Sequence, residues 1–114
     1  KLGQGRDKAR AFLREHPGES FFITFTVTGE LACGQSAAGD EAWQRLLRPY
    51  ALLGWDLEIS RCYGALYRAL ADQGSLIGTN DLWIAATAVR HGLGVVTNNT
   101  AEFGRIPDLD VRGY

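Results

Sequence analysis

Residues 81–90 are apolar nearly all round, and this segment restricts the fold of the chain more than any other. A helix that is hydrophobic on every side must be covered by neighbouring elements on every side. His91 and Gly92 follow directly and form a good C-terminal end for such a helix. Residues 94–97 then form a short apolar run that is typical of a buried strand. A buried helix followed by a buried strand is typical of α/β proteins.

Helices and strands alternate along the rest of the chain as well. Residues 21–25 are β-branched or aromatic with almost no alternation, which predicts a strand covered on both faces. The other predicted elements are strands at 55–59 and 109–111, helices at 7–15, 40–50 (capped by Asp40) and 60–74 (capped by Ser60), and a helix through Glu30 capped by Thr26 or Thr28. This order predicts an α/β sandwich around a mostly parallel sheet. The length of 114 residues suits one domain, 1–114.

Composition excludes several classes of protein. A formal net charge of −1 provides no large field that would attract a nucleic acid or a membrane surface. Cys33 and Cys62 lack the paired spacing of a zinc or redox site, and we interpret them as reduced thiols of a cytoplasmic protein. No apolar run approaches the roughly 18 residues of a membrane span. The stripe of Arg6, Arg10 and Arg14 is more typical of a solvated helix face than of an RNA track.

Three oxygen-bearing side chains are expected at one edge of the predicted sheet. Glu30 follows the strand at 21–25, Asn99 follows the strand at 94–97, and Asp81 opens the buried helix. In open α/β sheets, ligands bind outside the carboxyl ends of the strands. Mg²⁺ is held by oxygen ligands, usually one or two carboxylates with water and substrate phosphate. These positions therefore indicate a candidate site for a hard cation.

Each of these residues also has a purely structural interpretation. A carboxylate in the first turn of a helix is favoured by the helix dipole, by about 0.3–1 kcal/mol, which explains Glu30 and Asp81 as helix-start residues. Asn99 is a common turn former because Asn tolerates left-handed backbone geometry. His16 and His91 lie at predicted helix ends, where an imidazolium suits the dipole, and neither has a catalytic pattern. Residue chemistry by itself leaves both interpretations open.

A family resemblance favours the metal-site interpretation. Residues 77–88, with the sequence IGTNDLWIAATA, closely resemble the signature of PIN-domain proteins of the VapC toxin type. The sequence HGL at 91–93 and VVTNN at 95–99, followed by Phe103 and Pro107, resembles the family's next element. The run from residue 21 into TGEL at 28–31 is similar to its second acidic element. The resemblance covers most of the chain in the right order.

The resemblance implies a three-layer α/β/α fold and a Mg²⁺- or Mn²⁺-dependent ribonuclease, usually homodimeric and neutralised by an antitoxin protein. It implies that Glu30 and Asp81 are the second and third acids, both of which bind metal. Asn99 occupies the fourth catalytic position, where relatives have Asp or Asn, and it would act as a neutral ligand. RNA is the implied substrate, and Arg90 or Arg105 is a candidate contact to its backbone.

The family's opening strand, which ends in the first acid, has no counterpart before residue 21. Asp7 is no substitute, because it begins an amphipathic helix instead of following a buried strand. We therefore expect the parent protein to carry about 15–25 further residues, enough for one strand and its turn. Without that strand the sheet would have two unpaired edges and an apolar gap. The alternatives are a catalytically impaired PIN-like domain that binds RNA or a partner protein without cleavage, and an α/β domain that serves in protein assembly.

Overall fold

The computed structural model describes residues 11, 12, 14–34 and 38–114. Their helices and strands are β1 (Phe21–Thr24), α1 (Phe25–Ala32), α2 (Asp40–Leu47), β2 (Tyr50–Leu53), α3 (Leu57–Asp72), α4 (Thr79–His91), β3 (Val95–Thr97), α5 (Thr100–Phe103) and β4 (Val111–Gly113). The strands pair in parallel, β1 with β2 and β3 with β4. Phe21 lies opposite Tyr50, and Val95 lies opposite Val111. The predicted α/β class with parallel strands is confirmed.

The main hydrophobic core lies between α3, α4 and the β3–β4 sheet. Phe103 is 2% exposed, and Leu70 and Ala85 are completely buried. The buried members of this core all belong to the second half of the chain: Leu70, Ile77, Leu82, Ala85, Ala88, Val95, Phe103 and Ile106. Small alanines on α4 allow its neighbours to approach closely. The core is therefore built around α4, as the apolar sequence of this helix predicted.

The ends of α4 are set by glycines. Gly78 precedes the helix, and Asp81 lies in its first turn, where a carboxylate suits the dipole. Gly92 ends the helix in the left-handed region at φ 66°, and its N–H bonds to the carbonyls of Ala88 and Val89. A residue with a side chain would be strained in that conformation. The predicted C-terminal end at His91–Gly92 is confirmed.

The prediction of a strand at residues 55–59 is wrong. Asp56 is extended and accepts a hydrogen bond from the N–H of Ile59 at 2.8 Å, so it caps α3. The helix therefore starts at Leu57, and Ser60 is not its cap. The strand of this region comes earlier, because Tyr50, predicted as the last residue of a helix, opens β2.

Several other boundaries differ from prediction. Thr24 caps α1 in place of Thr26 or Thr28, accepting from the N–H of Val27 at 3.4 Å. Asp40 lies inside the first turn of α2, after Gly39, instead of capping it. The strand predicted at 109–111 is displaced to Val111–Gly113.

At the start of the described chain, residues 11, 12, 14 and 15 are helical, as predicted. Residues 7–10 of that predicted helix, Asp7 among them, and the arginines at 6 and 10 lie outside the described residues. His16 receives a structural role, because its Nδ1 lies 2.8 Å from the Phe12 carbonyl oxygen and its ring stacks on Phe12. In the part of the chain that is described, no helix has the length and apolar character needed to cross a membrane.

The two sheets are separated by a cavity of about 730 Å³, which we call the inter-sheet cleft. Its apolar lining comes from both sides and includes Ile23, Val27, Leu31, Leu53, Ile84 and Val96. The N–H of Val95 bonds to Asp110 of the β4 side at 2.8 Å, so strand alternation turns the backbone of Val96 towards the cleft. At one end of the cleft, Arg112 forms an ion pair with Glu19, in which Nη1 of Arg112 lies 3.1 Å from Oε1 of Glu19.

The cleft also leaves β1 less covered than predicted. Phe22 is 44% exposed, so this strand is covered on both faces only at its end, where Ile23 and Thr24 are buried. A strand missing from the interior of a sheet would leave two such edges with an apolar space between them. The hypothesis of an additional strand stays a prediction, and the inter-sheet cleft is where that strand would fit.

Candidate functional site

Asp81 and Asn99 meet at the edge of the β3–β4 sheet. Asp81 is half-buried in the first turn of α4, and Asn99 lies two residues after the end of β3. Nδ2 of Asn99 donates to Oδ2 of Asp81 at 2.9 Å. The backbone N–H of Asn99 donates to Oγ1 of Thr97 at 2.9 Å, which holds the chain as it leaves the strand. The structure therefore brings together two of the three predicted site residues by a direct hydrogen bond.

Glu102 joins this pair and was missed by the sequence analysis. The same Nδ2 of Asn99 donates to Oε2 of Glu102 at 2.9 Å, so a single amide group bridges two carboxylates. Glu102 lies on α5, where the sequence analysis predicted no helix. The spacing Asn-x-x-Glu at 99–102 is a helix-start signal that would have indicated this helix. It would also have placed Glu102 one turn from Asn99.

The two carboxyl groups perturb each other. Burial raises the pKa of Asp81 most, and the hydrogen bond to Glu102 and the charges of Glu102 and Glu30 raise it further, against the lowering effect of Asn99. The hydrogen bond from Asp81 lowers the pKa of Glu102, and the amide of Asn99, the charge of Arg105 and the N–H of Gly78 act in the same direction. Asp81 therefore retains a proton more readily than Glu102, and the pair titrates as a unit.

Glu30 reaches the same edge from the other half of the chain. It is exposed on α1, and its Oε1 accepts a hydrogen bond from Nδ2 of Asn80 at 3.5 Å. Asn80 immediately precedes Asp81 in the first turn of α4. Residues that are 50 apart in sequence are thus joined next to Asp81. The raised pKa of Asp81 includes a contribution from the negative charge of Glu30, so the two carboxylates are electrostatically close.

The donor set fits a hard divalent cation. Carboxylate oxygens are the ligands that Mg²⁺ and Mn²⁺ prefer, and Mg²⁺ commonly uses only one or two of them with water. Asp81 and Glu102 supply such a pair, and a cation between them would offset the repulsion between their negative charges. Within residues 11, 12, 14–34 and 38–114, no three Asp, Glu, His or Cys side chains are grouped closely enough to hold one ion. Glu30 is therefore an outlying member of the set.

The two candidate arginines have different surroundings. Arg90 lies at the far end of α4, about 13 Å along the helix from Asp81 at 1.5 Å per residue. Its Nη2 is 3.2 Å from Oδ2 of Asp56, so it links α4 to α3. Arg105 follows α5 and donates from Nη1 to the carbonyl oxygen of Leu76 at 2.8 Å. Of the two arginines, Arg105 is the one whose charge acts on Glu102.

Comparison with known proteins shows which family the chain belongs to. The sequence model of the PIN domain matches residues 3–109 of the chain. The chain belongs to the PIN-domain family. Ribonuclease VapC4 of Mycobacterium tuberculosis is 34% identical over 101 residues, which cover 82% of this chain and 77% of that protein. Ribonuclease VapC1 of Haemophilus influenzae (strain R2866) is 33% identical over 100 residues, which cover 82% of this chain and 73% of that protein.

Solved structures of VapBC proteins share the fold of this PIN domain. VapBC2 from Rickettsia felis, bound to a DNA fragment from its promoter, matches with a TM-score of 0.79 and 28% identity over 95% of this chain and 86% of that chain. VapBC-1 from nontypeable Haemophilus influenzae matches with a TM-score of 0.76 and 28% identity over 98% and 89% of the two chains. The predicted resemblance to VapC-type PIN domains is thereby confirmed.

The signature of this VapC-type PIN domain divides into packing and site residues. Its Ala85 and Ala86 are completely buried within α4. The polar start of the signature contributes Asn80 and Asp81. Asn80 is hydrogen-bonded to Glu30, and Asp81 is hydrogen-bonded to Asn99. The motif is therefore recognisable because one short segment both carries the core and begins the candidate site.

Proposed function

We propose that this PIN domain is a metal-dependent endoribonuclease that acts as the toxin of a toxin–antitoxin pair. The carboxylate pair of Asp81 and Glu102, bridged by Asn99, is the observation that carries the proposal. The relatives named as ribonucleases and the VapBC structures support the choice of RNA as substrate and of an antitoxin as partner. The proposed reaction is hydrolysis of an RNA phosphodiester bond in the cytoplasm.

Asp81 and Glu102, with Glu30 beside them, would hold one Mg²⁺ or Mn²⁺ ion. When bound, such an ion supplies polarisation of a phosphate oxygen and activation of a water molecule. Asn99 keeps the two carboxylates at a fixed separation by donating to both. A bound cation would favour the ionised form of Asp81, because its positive charge would offset the negative charges of Glu102 and Glu30. Glu30 adds negative charge from the α1 side of the site.

We also propose that the domain associates into a homodimer. Large apolar side chains are exposed around the junction of β2 and α3, where Leu52 is 61%, Trp55 52% and Leu57 71% exposed. Such neighbouring apolar residues are typical of surfaces that contact another protein. Sedimentation equilibrium of the purified protein tests this proposal, and a mass of 12.5 kDa at every concentration would contradict it.

The second candidate function is RNA or protein binding without cleavage. It is favoured by the orientation of Asn99, whose Nδ2 faces the carboxylates and adds no negative charge to the site. A binding protein would retain RNA in the presence of EDTA and release no cleavage product with any divalent ion. A nuclease would lose product formation when EDTA removes the ion.

Substitution Asp81→Asn tests the nuclease proposal. We expect Mn²⁺-dependent cleavage of RNA to fall by at least about a hundredfold, the scale of losing one group that stabilises transition-state charge. The unfolding midpoint should stay close to that of the unchanged protein, because Asn keeps an oxygen that can accept from Asn99 and removes the half-buried charge whose burial raises the pKa of Asp81. Asp72→Asn, at the exposed end of α3, is the matched control. Full activity of the Asp81 variant would overturn the assignment.

A further inference from the structure

Glu102 lies on a helix of only 4 residues, so other contacts must fix its position relative to Asp81. The loop before α4 supplies two of them. The carbonyl oxygen of Leu76 accepts from Nη1 of Arg105 at 2.8 Å, and the N–H of Gly78 acts on Glu102, whose pKa it helps to lower. Arg105, three residues after Glu102, therefore joins this loop to the segment that carries Glu102.

This loop leads directly into the helix that carries Asp81. Gly78 is the residue before α4, and its carbonyl oxygen accepts the first bond of the helix from the N–H of Leu82 at 2.9 Å. A displacement of residues 76–78 would move the start of α4, and with it Asp81, relative to Glu102. The contact between Arg105 and Leu76 joins the α5 end of the site to the α4 end.

We propose that Arg105 is a positioning residue, which fixes the separation of the Asp81 and Glu102 carboxylates by binding the Leu76 carbonyl. The proposal rests on the proposed function, because it concerns the same site. It differs from the expected RNA contact, since the Nη1 group of Arg105 is directed to a carbonyl oxygen of the protein itself. Groups that orient metal ligands without touching the metal commonly change its affinity by about 10–100-fold.

The variants Arg105→Gln and Arg105→Lys test this proposal, with Arg61→Gln as the control. Arg61 is also exposed, and it contacts only Glu58, at 3.5 Å, among the described ion pairs. We expect Arg105→Gln to weaken the binding of Mn²⁺, measured by calorimetry, by about tenfold. Arg105→Lys should restore most of that affinity, because an ammonium group can donate to the same carbonyl. Arg105→Gln should lower kcat while KM for RNA stays unchanged.

Hydrogen exchange of the Gly78 amide, measured by NMR without metal, gives a second readout that does not require activity. Arg105→Gln should accelerate this exchange several-fold, and Arg61→Gln should leave it unchanged. Unchanged Gly78 exchange together with unchanged Mn²⁺ affinity would overturn the proposal. A raised KM for RNA with a salt slope reduced by about 0.7 would instead identify Arg105 as a phosphate contact. Faster Gly78 exchange in a protein that never cleaves RNA would support the positioning role and contradict the proposed nuclease.

Discussion

The β1–β2 sheet and the β3–β4 sheet are both two-stranded and parallel, yet they differ in how well they are covered. Behind β3 and β4 lies a buried core that borders the cleft and in which Phe103 is 2% exposed. The β1–β2 sheet leaves Phe22 44% and Leu52 61% exposed, and its inner edge faces the inter-sheet cleft. The β3–β4 pair is thus better covered by its neighbours than the β1–β2 pair. Parallel sheets generally need helices to cover both faces.

The candidate site lies across the boundary of these two regions. Asp81, Asn99 and Glu102 belong to the covered region and are joined by two hydrogen bonds of 2.9 Å. Glu30 belongs to the exposed region and is joined to Asn80 at 3.5 Å. The part of the site on the buried core is preorganised, whereas the position of Glu30 depends on how the β1–β2 region is held.

The largest expected difference between the regions is in stability. Phe103→Ala should lower the free energy of unfolding by about 3–5 kcal/mol, because it leaves a cavity in the buried core. Phe22→Ala should cost no more than about 1 kcal/mol, since much of that ring already contacts water. Urea denaturation of both variants measures this difference. Equal losses would show that the two sheets share one cooperative core.

A longer chain would test the difference in coverage between the two sheets. We predict that a parent protein with about 15–25 further N-terminal residues, including an apolar strand, fills the inter-sheet cleft. The amide of Val96 should then exchange with solvent at least about tenfold more slowly, because a new strand would bond to it. Val95, already bonded to Asp110 at 2.8 Å, is the internal reference. Identical Val96 exchange in both chains would contradict the missing-strand hypothesis.

Removal of the link between the regions should have a moderate effect. Asn80→Ala deletes the hydrogen bond to Glu30, and we expect kcat for RNA to fall roughly fivefold, since a hydrogen bond of this kind contributes about 1 kcal/mol. The binding of Mn²⁺ by Asp81 and Glu102 should change little. Gln73→Ala, exposed at the end of α3, controls for a surface amide elsewhere. Loss of Mn²⁺ binding in the Asn80 variant would show that Glu30 is a principal ligand.

The smallest effect concerns the pH dependence of the covered region. The N–H of Ile59 and then the Arg90 guanidinium lower the pKa of Asp56 in the folded protein. The carboxylate therefore stabilises the fold above its unfolded pKa of about 3.9, and this contribution is lost as the pH falls through the folded pKa. Asp56→Ala should lower the thermal midpoint at pH 7 and have almost no effect near pH 2. A difference between variant and unchanged protein that persists at pH 2 would contradict this origin.

The sequence analysis predicted the long elements that have a strong hydrophobic pattern. It missed element boundaries that are set by a local side-chain hydrogen bond. The position of α4 followed from its apolar residues and from Gly92, which the structure confirms. The strand expected at 55–59 failed because the side chain of Asp56 bonds to the N–H of Ile59, a cap that its apolar neighbours did not indicate. Boundaries of this kind depend on a single hydrogen bond.

The candidate site was predictable to a similar extent. Glu30, Asp81 and Asn99 follow strands or open helices, and their position at one edge is a property of the parallel topology. Glu102 was missed because a helix of 4 residues has too little hydrophobic periodicity, and the Asn-x-x-Glu spacing at its start, which does indicate a helix, was not used. The preference of Asn99 for donating to two carboxylates arises only when the fold brings Asp81 and Glu102 together.

The amide at position 99 holds two neighbouring carboxylates together by hydrogen bonds alone. A third carboxylate there would make three neighbouring anions, and the empty protein would stay intact only while divalent ions were plentiful. Asn99 instead ties its neighbours together without any ion. In the proposed nuclease, this corner of the fold would therefore assemble before an ion binds, and the neutral amide would add no charge to hold that ion.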